Sequence, residues 1–333
     1  MKLYSNEIVF RGHPDKVCDQ ISDALLDEYL SQDKMSRCGI ETVGGKEKIF
    51  VTGEVTSNAK VDVASVANRV LKDIGYNLNY EVIDNIGIQS ADIALGTNEC
   101  VMGAGDQGMM FGFACNDTKE LLPTAMVILQ KLSIAYDKKV HSEPSVFFPD
   151  GKAQITGFYD NDMKLKKIKT FTVSYNNCEE KREYSDSWIK KTCLNICKEY
   201  NVDVEEFLIG GFEGDAGLTG RKIVVDSYQS FANVGGGAFS GKDPTKVDRA
   251  GAYKAREIAK MYLKRLGLNW CEVQLSYAIG KAEPLAIYIT SDKGNIEPDN
   301  ELYLECTPKK IIEDLNLRNI CYEKRARFGH FLG

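Results

Sequence analysis

The sequence predicts an α+β protein built from layers of sheet and helix. Strand-like and helix-like segments mix along the chain without the strict alternation that a doubly wound parallel sheet requires. The composition, 43% apolar and 27% charged over 333 residues, is that of a soluble globular protein. It is long enough for one large domain or two to three smaller ones.

The first helix is announced by Gly12-His13-Pro14-Asp15-Lys16, followed by Val17, Ile21, Ala24 and Leu25 at helical spacing. Pro14 suits a first helical turn, and Asp15 suits the positive end of the helix dipole. Asp15, Asp19, Asp23 and Asp27 recur every four residues on one side. For Asp23 and Asp27 the expectation is a solvated acidic face. Asp15 differs because it stands at the helix mouth beside His13, which is either a site residue or a helix-entry histidine satisfied by backbone.

Residues 40–43 and 49–56 read as strands joined at Gly44-Gly45 in a hairpin. Glu41 and Glu54 interrupt their apolar pattern, either as wet-face residues or as ligands for a cation or amine. A helix over 61–74 stops at Gly75. Residues 83–89 resemble a strand, and 90–102 lack periodicity before Gly103-Ala-Gly-Asp-Gln-Gly108, which suits a lid or a plain linker. A strand over 109–114 precedes a helix over 121–132 with Pro123 in its first turn. Residues 147–152 read as a turn, 154–159 alternate, and the lysines at 166–169 read as a solvated loop edge before a strand over 170–175. Residues 187–200 are helical, and 207–211 lead into a glycine-rich stretch in which 223–225 look strand-like. A long helix ends at Leu266 before Gly267; strands over 273–279 and 285–290 and a helix over 309–315 follow. No internal repeat is visible.

Net charge is −6, which argues against a general nucleic-acid or anionic-membrane surface. Any polyanion site must come from local clusters of cations, so the ligand is expected to be small. Ten cysteines contain no C-x-x-C pair, and neither a signal peptide nor an apolar run near membrane-span length is evident. Free buried thiols in a reducing cytoplasm are the expectation. Three histidines leave no histidine-rich zinc site.

The chemistry concentrates in residues 215–253: Asp215-Ala-Gly-Leu-Thr-Gly-Arg221-Lys222, then Gly235-Gly-Gly-Ala238-Phe-Ser-Gly241-Lys242-Asp243, then Lys246-Val-Asp248-Arg249. Glycines let backbone approach a ligand, lysine and arginine supply donors to phosphate oxygens, and aspartates offer the hard oxygens magnesium prefers. The reading is a polyphosphate site with a metal bridge. Residues 236–243 fall one short of the P-loop pattern, with Asp243 where a hydroxyl should meet magnesium and the strand-like 223–225 ending too early. A glycine-rich surface turn beside a solvated basic face is the remaining alternative.

Five collinear motifs, Gly12–Lys16, Gly103–Gly108, Asp215–Lys222, Gly235–Asp243 and Lys246–Arg249, closely resemble the signatures of the S-adenosylmethionine synthetases (methionine adenosyltransferases). That resemblance implies an enzyme joining ATP and L-methionine by sulfur attack on C5′, followed by cleavage of the released triphosphate. It implies three similar two-layer α/β-sandwich domains about a pseudo-threefold axis, with segments 1–95, 101–212 and 213–333 and domains that can be discontinuous. By family position, His13, Asp150, Lys152, Phe207, Asp215, Arg221, Lys222, Ala238 and Lys242 meet ATP, with His13, Lys152, Asp215, Arg221 and Lys242 catalytic. Glu54, Gln89, Asp215 and Lys246 meet methionine. Asp15 and Asp248 hold magnesium, two ions per site, and Glu41 holds potassium. A homodimer with shared sites, commonly paired into a tetramer, is also implied.

Overall fold

The computed structural model describes residues 1–88, 103–143, 145–214 and 216–332. Its strands are β1 (Lys2–Val9), β2 (Arg37–Gly45), β3 (Lys48–Thr56), β4 (Glu81–Ile88), β5 (Gly108–Cys115), β6 (Phe147–Tyr159), β7 (Leu165–Asn177), β8 (Val204–Gly211), β9 (Ala216–Leu218), β10 (Trp270–Tyr277), β11 (Ala286–Ser291) and β12 (Gly294–Ile296). Its α-helices are α1 (Pro14–Gln32), α2 (Val63–Ile74), α3 (Thr124–Val140), α4 (Arg182–Glu199), α5 (Ile223–Asp226), α6 (Val247–Leu266), α7 (Leu302–Glu305), α8 (Pro308–Asp314) and α9 (Tyr322–Ala326).

The strands form three four-stranded sheets, ordered β1-β6-β7-β8, β4-β3-β2-β9 and β12-β11-β10-β5. One plan underlies all three. A long helix (α1, α3 or α6) runs into a hairpin (β2-β3, β6-β7 or β10-β11). In the first two cases a second helix then returns the chain to a strand parallel to the hairpin's second strand. The strand preceding each long helix leaves its own unit. β1 pairs antiparallel with β6, β5 with β10, and β9 with β2. Each unit therefore lends its leading strand to the next, and the third lends back to the first. This cyclic exchange gives the three-domain architecture of layered sheet and helix. Each lent strand pairs with the first strand of the neighbouring hairpin, so each unit's sheet is completed by the chain of the unit before it in the cycle.

Helices cover one face of each sheet: α1 and α2 on the second, α3 and α4 on the first, and α6 with α8 beside it on the third. Ile8, Phe10, Ile155, Phe171 and Val173 meet Ile128, Leu129, Leu132 and Ile189 in one core cluster. Each such side chain contributes about 1.5–3 kcal/mol by leaving water. Where α6 crosses β5, a Cβ on Gly112 would lie 2.0 Å from the Ala255 carbonyl carbon. Only glycine permits that approach.

The capping signals read from sequence hold. Gly75 and Gly267 close α2 and α6 in left-handed conformation, and Pro14 opens α1. Five expectations are corrected. The 223–225 run is one helical turn, α5, closed by amide bonds from Asp226 to Lys222 O and from Ser227 to Ile223 O. The β2-β3 turn is Lys46-Glu47, both at positive φ, whereas Gly44-Gly45 belongs to β2. Residues 147–152 are strand, with a register break between Phe147 and Gly151. The lysines at 166–169 lie within β7.

The fifth correction concerns the aspartate row of α1. Asp15, Asp19 and Asp23 are buried and Asp27 is half-buried. Asp15 accepts from Leu218 N (3.0 Å), Asp19 from Gly220 N (2.8 Å), Asp23 from Gly241 N (2.9 Å) and Asp27 from the amides of Tyr322 and Glu323. The row is a ladder of acceptors that ties successive C-terminal segments to α1. Among the described residues the nine cysteines are free, seven of them buried, and no helix is long and apolar enough to cross a membrane.

Candidate active site

The site is assembled at the N-terminus of α1. His13 is its N-cap, and the ring Nδ1 accepts from the Asp15 amide at 3.2 Å. With Nδ1 accepting, the ring proton sits on Nε2, so the free nitrogen is a donor. Burial pushes His13 down to about 4, assisted by Lys222, Lys152 and Arg221 against the opposing pull of Asp15. His13 is therefore a neutral hydrogen-bond donor at physiological pH. The helix-entry reading is met at Nδ1 by the Asp15 amide, and Nε2 is left as a donor.

Burial alone would raise the Asp15 carboxyl. The Lys222 hydrogen bond and the Leu218 amide outweigh it and hold Asp15 below the usual carboxylate range. Lys222 Nζ lies 2.5 Å from Asp15 Oδ2, and Arg221 lies 3.6 Å from Oδ1 with its side chain half exposed. The β9 strand brings both cations here. A Cβ on Gly217 would stand 2.1 Å from the Pro14 carbonyl carbon, so glycine allows β9 to lie directly on the helix mouth.

Lys152, exposed on β6, places its ammonium 4.4 Å from the Phe212 ring centroid, and Phe212 stacks on His13 at 6.0 Å. Asp150 is buried with Oδ2 accepting from Gly214 N at 2.6 Å, and burial pushes its carboxyl up to about 6. The structure thus brings together His13, Asp15, Asp150, Lys152, Arg221 and Lys222. Phe212 was missed in the sequence. The only signal for it was an aromatic residue set between Gly211 and Gly214.

A second group lies along α1. Gly241 is tethered to Asp23, two turns or about 12 Å from Asp15 along the helix axis. Here Lys242 pairs with Asp248, in the first turn of α6, and Lys246 is the N-cap of that helix. A Cβ on Gly237 would clash with the Asp248 carboxyl, so the triple glycine lets the loop close over this acid. Ala238 lies between the groups, against the Gly220 turn. Glu54 stands opposite Gly39 in the β2-β3 register, and Gly39 bridges to Lys242 on its other side. Glu41 is exposed on β2 opposite Thr52. Phe207, on β8, is partly buried and stacks on Phe171 at 5.9 Å, against the edge of the core cluster. Gln89, Asp215 and the suggested lid over 90–102 lie outside the described residues.

The P-loop alternative fails on two counts. α5 replaces the strand that should precede the loop, and Asp243 is fully buried as a connector. Its carboxylate accepts from Cys38 N at 2.8 Å and from Thr245 N at 2.8 Å.

The His13 shift predicts a pH dependence of stability. Between its unfolded value near 6.5 and its folded value near 4, the unfolded chain binds a proton that the folded chain refuses. His13 thus makes stability rise with pH across that window and fall as pH drops through it, by at most about 3 kcal/mol. Urea titrations of the wild type and His13→Gln at several pH values should show this slope only in the wild type. Asp150, raised rather than lowered, works in the opposite sense in both proteins.

Known proteins match this chain along its whole length. The N-terminal, central and C-terminal domains of S-adenosylmethionine synthetase match residues 1–100, 101–209 and 209–333. The S-adenosylmethionine synthase of Prochlorococcus marinus (strain AS9601) is 40% identical over 384 aligned positions, covering 99% of this chain and 92% of the relative. That of Mycoplasmopsis synoviae (strain 53) is 39% identical over 355, with the same coverage. A solved structure described as an unusual S-adenosylmethionine synthetase from Campylobacter jejuni superposes with a TM-score of 0.87 at 32% identity, covering 99% of this chain and 94% of that one. Sequence, domain order and fold agree: the chain belongs to the S-adenosylmethionine synthetase family of enzymes.

Proposed function

We propose that this chain makes S-adenosyl-L-methionine by directing the sulfur of L-methionine onto C5′ of ATP, and then cleaves the released triphosphate to pyrophosphate and phosphate. The observation that carries this reading is the meeting of a neutral donor, His13, with Lys152, Arg221, Lys222 and the buried Asp15 at one helix mouth. A thioether is a weak, uncharged nucleophile. The rate must then come from positioning and from stabilising the departing chain of phosphates, which carries roughly four negative charges near neutrality. Lys152, Arg221 and Lys222 supply donors to its oxygens. The Nε2–H of His13 donates to the leaving O5′ without adding a charge that must later be discharged.

Among the described residues no group of three or more His, Cys, Asp or Glu could enclose a metal. Asp15 and Asp248 are instead single carboxylates, each paired with a lysine. That donor set fits magnesium brought in by phosphate, because magnesium takes one or two protein carboxylates and completes its shell with phosphate oxygens and water. Two ions are assigned, one to each aspartate, and bound magnesium would supply neutralisation of phosphate charge. Glu41, exposed on an open sheet face, is assigned to potassium. Glu54 is assigned to the methionine ammonium, with Gln89 and Asp215 completing that subsite and Lys246 meeting the methionine carboxylate or a phosphate. Phe207, Asp150 and Ala238 are assigned to the nucleotide.

The offset of about 12 Å along α1 between Asp15 and Asp23, the tether of the loop that carries Lys242, supports a homodimer in which each site takes one group from each subunit, with tetramers formed by pairing dimers. The cytoplasm is the proposed compartment. Incubating the full chain with ATP, methionine, magnesium and potassium should give S-adenosylmethionine, pyrophosphate and phosphate, resolved by chromatography. Methionine-independent release of ADP would overturn the reading in favour of a kinase or ATPase.

A further inference from the structure

A cavity of about 340 Å³ runs beside α6 from Tyr253 to Lys264, and neither Lys242 nor Asp248 lines it. Its wall carries five cations, Lys119, Arg256, Lys260, Lys264 and Arg325, against two acids, Glu120 and Glu257. Glu257 pairs with Lys260 at 2.9 Å and Glu120 lies 3.9 Å from Lys119. Arg256 spends its guanidinium on the carbonyls of Phe113, Glu120 and Leu121. Arg325 rests over the Tyr253 ring at 5.2 Å and makes no ion pair among the described residues. It also lines an adjoining cavity with Lys324 and His330.

His330 belongs to both cavities, is only 2% exposed, and its Nε2 has no partner among the described residues. Its protonation follows from its neighbours. A guanidinium can only donate, so Arg249 Nε–H donates to Tyr253 Oη at 3.2 Å. If that oxygen also accepted from His330, 2.7 Å away, its own proton would have no acceptor among the described residues, so the hydroxyl proton is assigned to His330 Nδ1. Nδ1 is the acceptor, and the orphan Nε2 carries hydrogen. A buried donor with no acceptor is costly, and one beside surplus positive charge is matched by an anionic oxygen.

We propose that this cavity is a binding site for a phosphate dianion, free or as a small phosphomonoester, with His330 Nε2–H and Arg325 donating to its oxygens. The site is wired to the catalytic loop. Arg249, which fixes Tyr253, also donates to the Lys242 carbonyl at 3.1 Å and holds Asp23, the tether of Gly241. An occupant that orders His330 orders the same chain of bonds.

The chain has three histidines, so ¹⁵N-histidine NMR on the full-length protein reads each one, with His13→Gln and His141→Gln assigning His330 by elimination. Titration with inorganic phosphate and with glycerol phosphate should move the His330 Nε2 signal saturably. Whichever of the two binds tighter identifies the source of the dianion. Arg325→Gln should weaken binding about tenfold, the loss of one charge-assisted bond. No shift, a shift of His13 alone, an equal response to acetate, or unchanged affinity in Arg325→Gln would each overturn the proposal. Phosphate binding at the active site reports on His13, so the outcome is separate from the assigned reaction.

Discussion

Asp15→Asn is expected to lower turnover by about 10²- to 10³-fold, the scale for losing one preorganised group that stabilises transition-state charge. The substitution keeps the shape and retains an oxygen to accept from Leu218 N, so the β9 contact survives. What it removes is the negative charge that positions Lys222 at 2.5 Å and attracts Arg221, and with it the proposed seat of one magnesium ion. Lys242→Ala should act on the same scale from the other group, since Lys242 is both the partner of Asp248 and, in the proposed reaction, a donor to the triphosphate. Steady-state product assays at saturating ATP and methionine check both. The loss should fall on kcat, because interactions made chiefly with the leaving triphosphate grow stronger as it departs. Near-normal rates in both variants would contradict the assignment of these residues, whatever reaction the enzyme performs.

What the sequence revealed and concealed follows from the range of the forces involved. Caps are local, so Pro14, Gly75 and Gly267 marked helix ends that the structure keeps. Strand exchange is not local. β9 is three residues long and acquires strand geometry only through Val43, Gly44 and Gly45, and β1 is defined by its partner β6. Nothing in either segment names its distant neighbour. The β-branched run 223–225 misled for the same reason, because two backbone bonds to the next residues fix its turn in spite of propensity. In the site, residue types were legible and partners were not. The aspartate row of α1 has the spacing of one helix side, but periodicity says which residues share a side and not what covers them. Backbone amides from residues 218–241 and from the first turn of α9 cover it. A solvated face and a buried ladder have the same pattern.

That ladder makes the largest stability prediction. Arg249 and Asp23 are wholly buried, with bonds of 2.7 and 2.6 Å between guanidinium and carboxylate. The guanidinium also lies over the Tyr322 ring at 4.2 Å. A buried pair of this kind contributes little net stability compared with an apolar pair of similar shape, but removing one partner strands the other's charge at a cost of about 3–5 kcal/mol. Arg249→Met is therefore expected to destabilise by that amount, a large part of the roughly 5–15 kcal/mol holding a typical domain. The denaturation midpoint in urea should fall with the slope unchanged. Adding Asp23→Leu removes the stranded carboxylate but also the acceptor for Gly241 N. The double variant should recover part of the loss and stop short of the wild type by about 1–3 kcal/mol, the cost of one unsatisfied buried amide. It should also turn over slowly, because Gly241 precedes Lys242 and its tether would be gone. A cost below about 1 kcal/mol for Arg249→Met would mean that Asp23 finds water or another donor, and α1 would then not be the spine to which the catalytic loops are fastened.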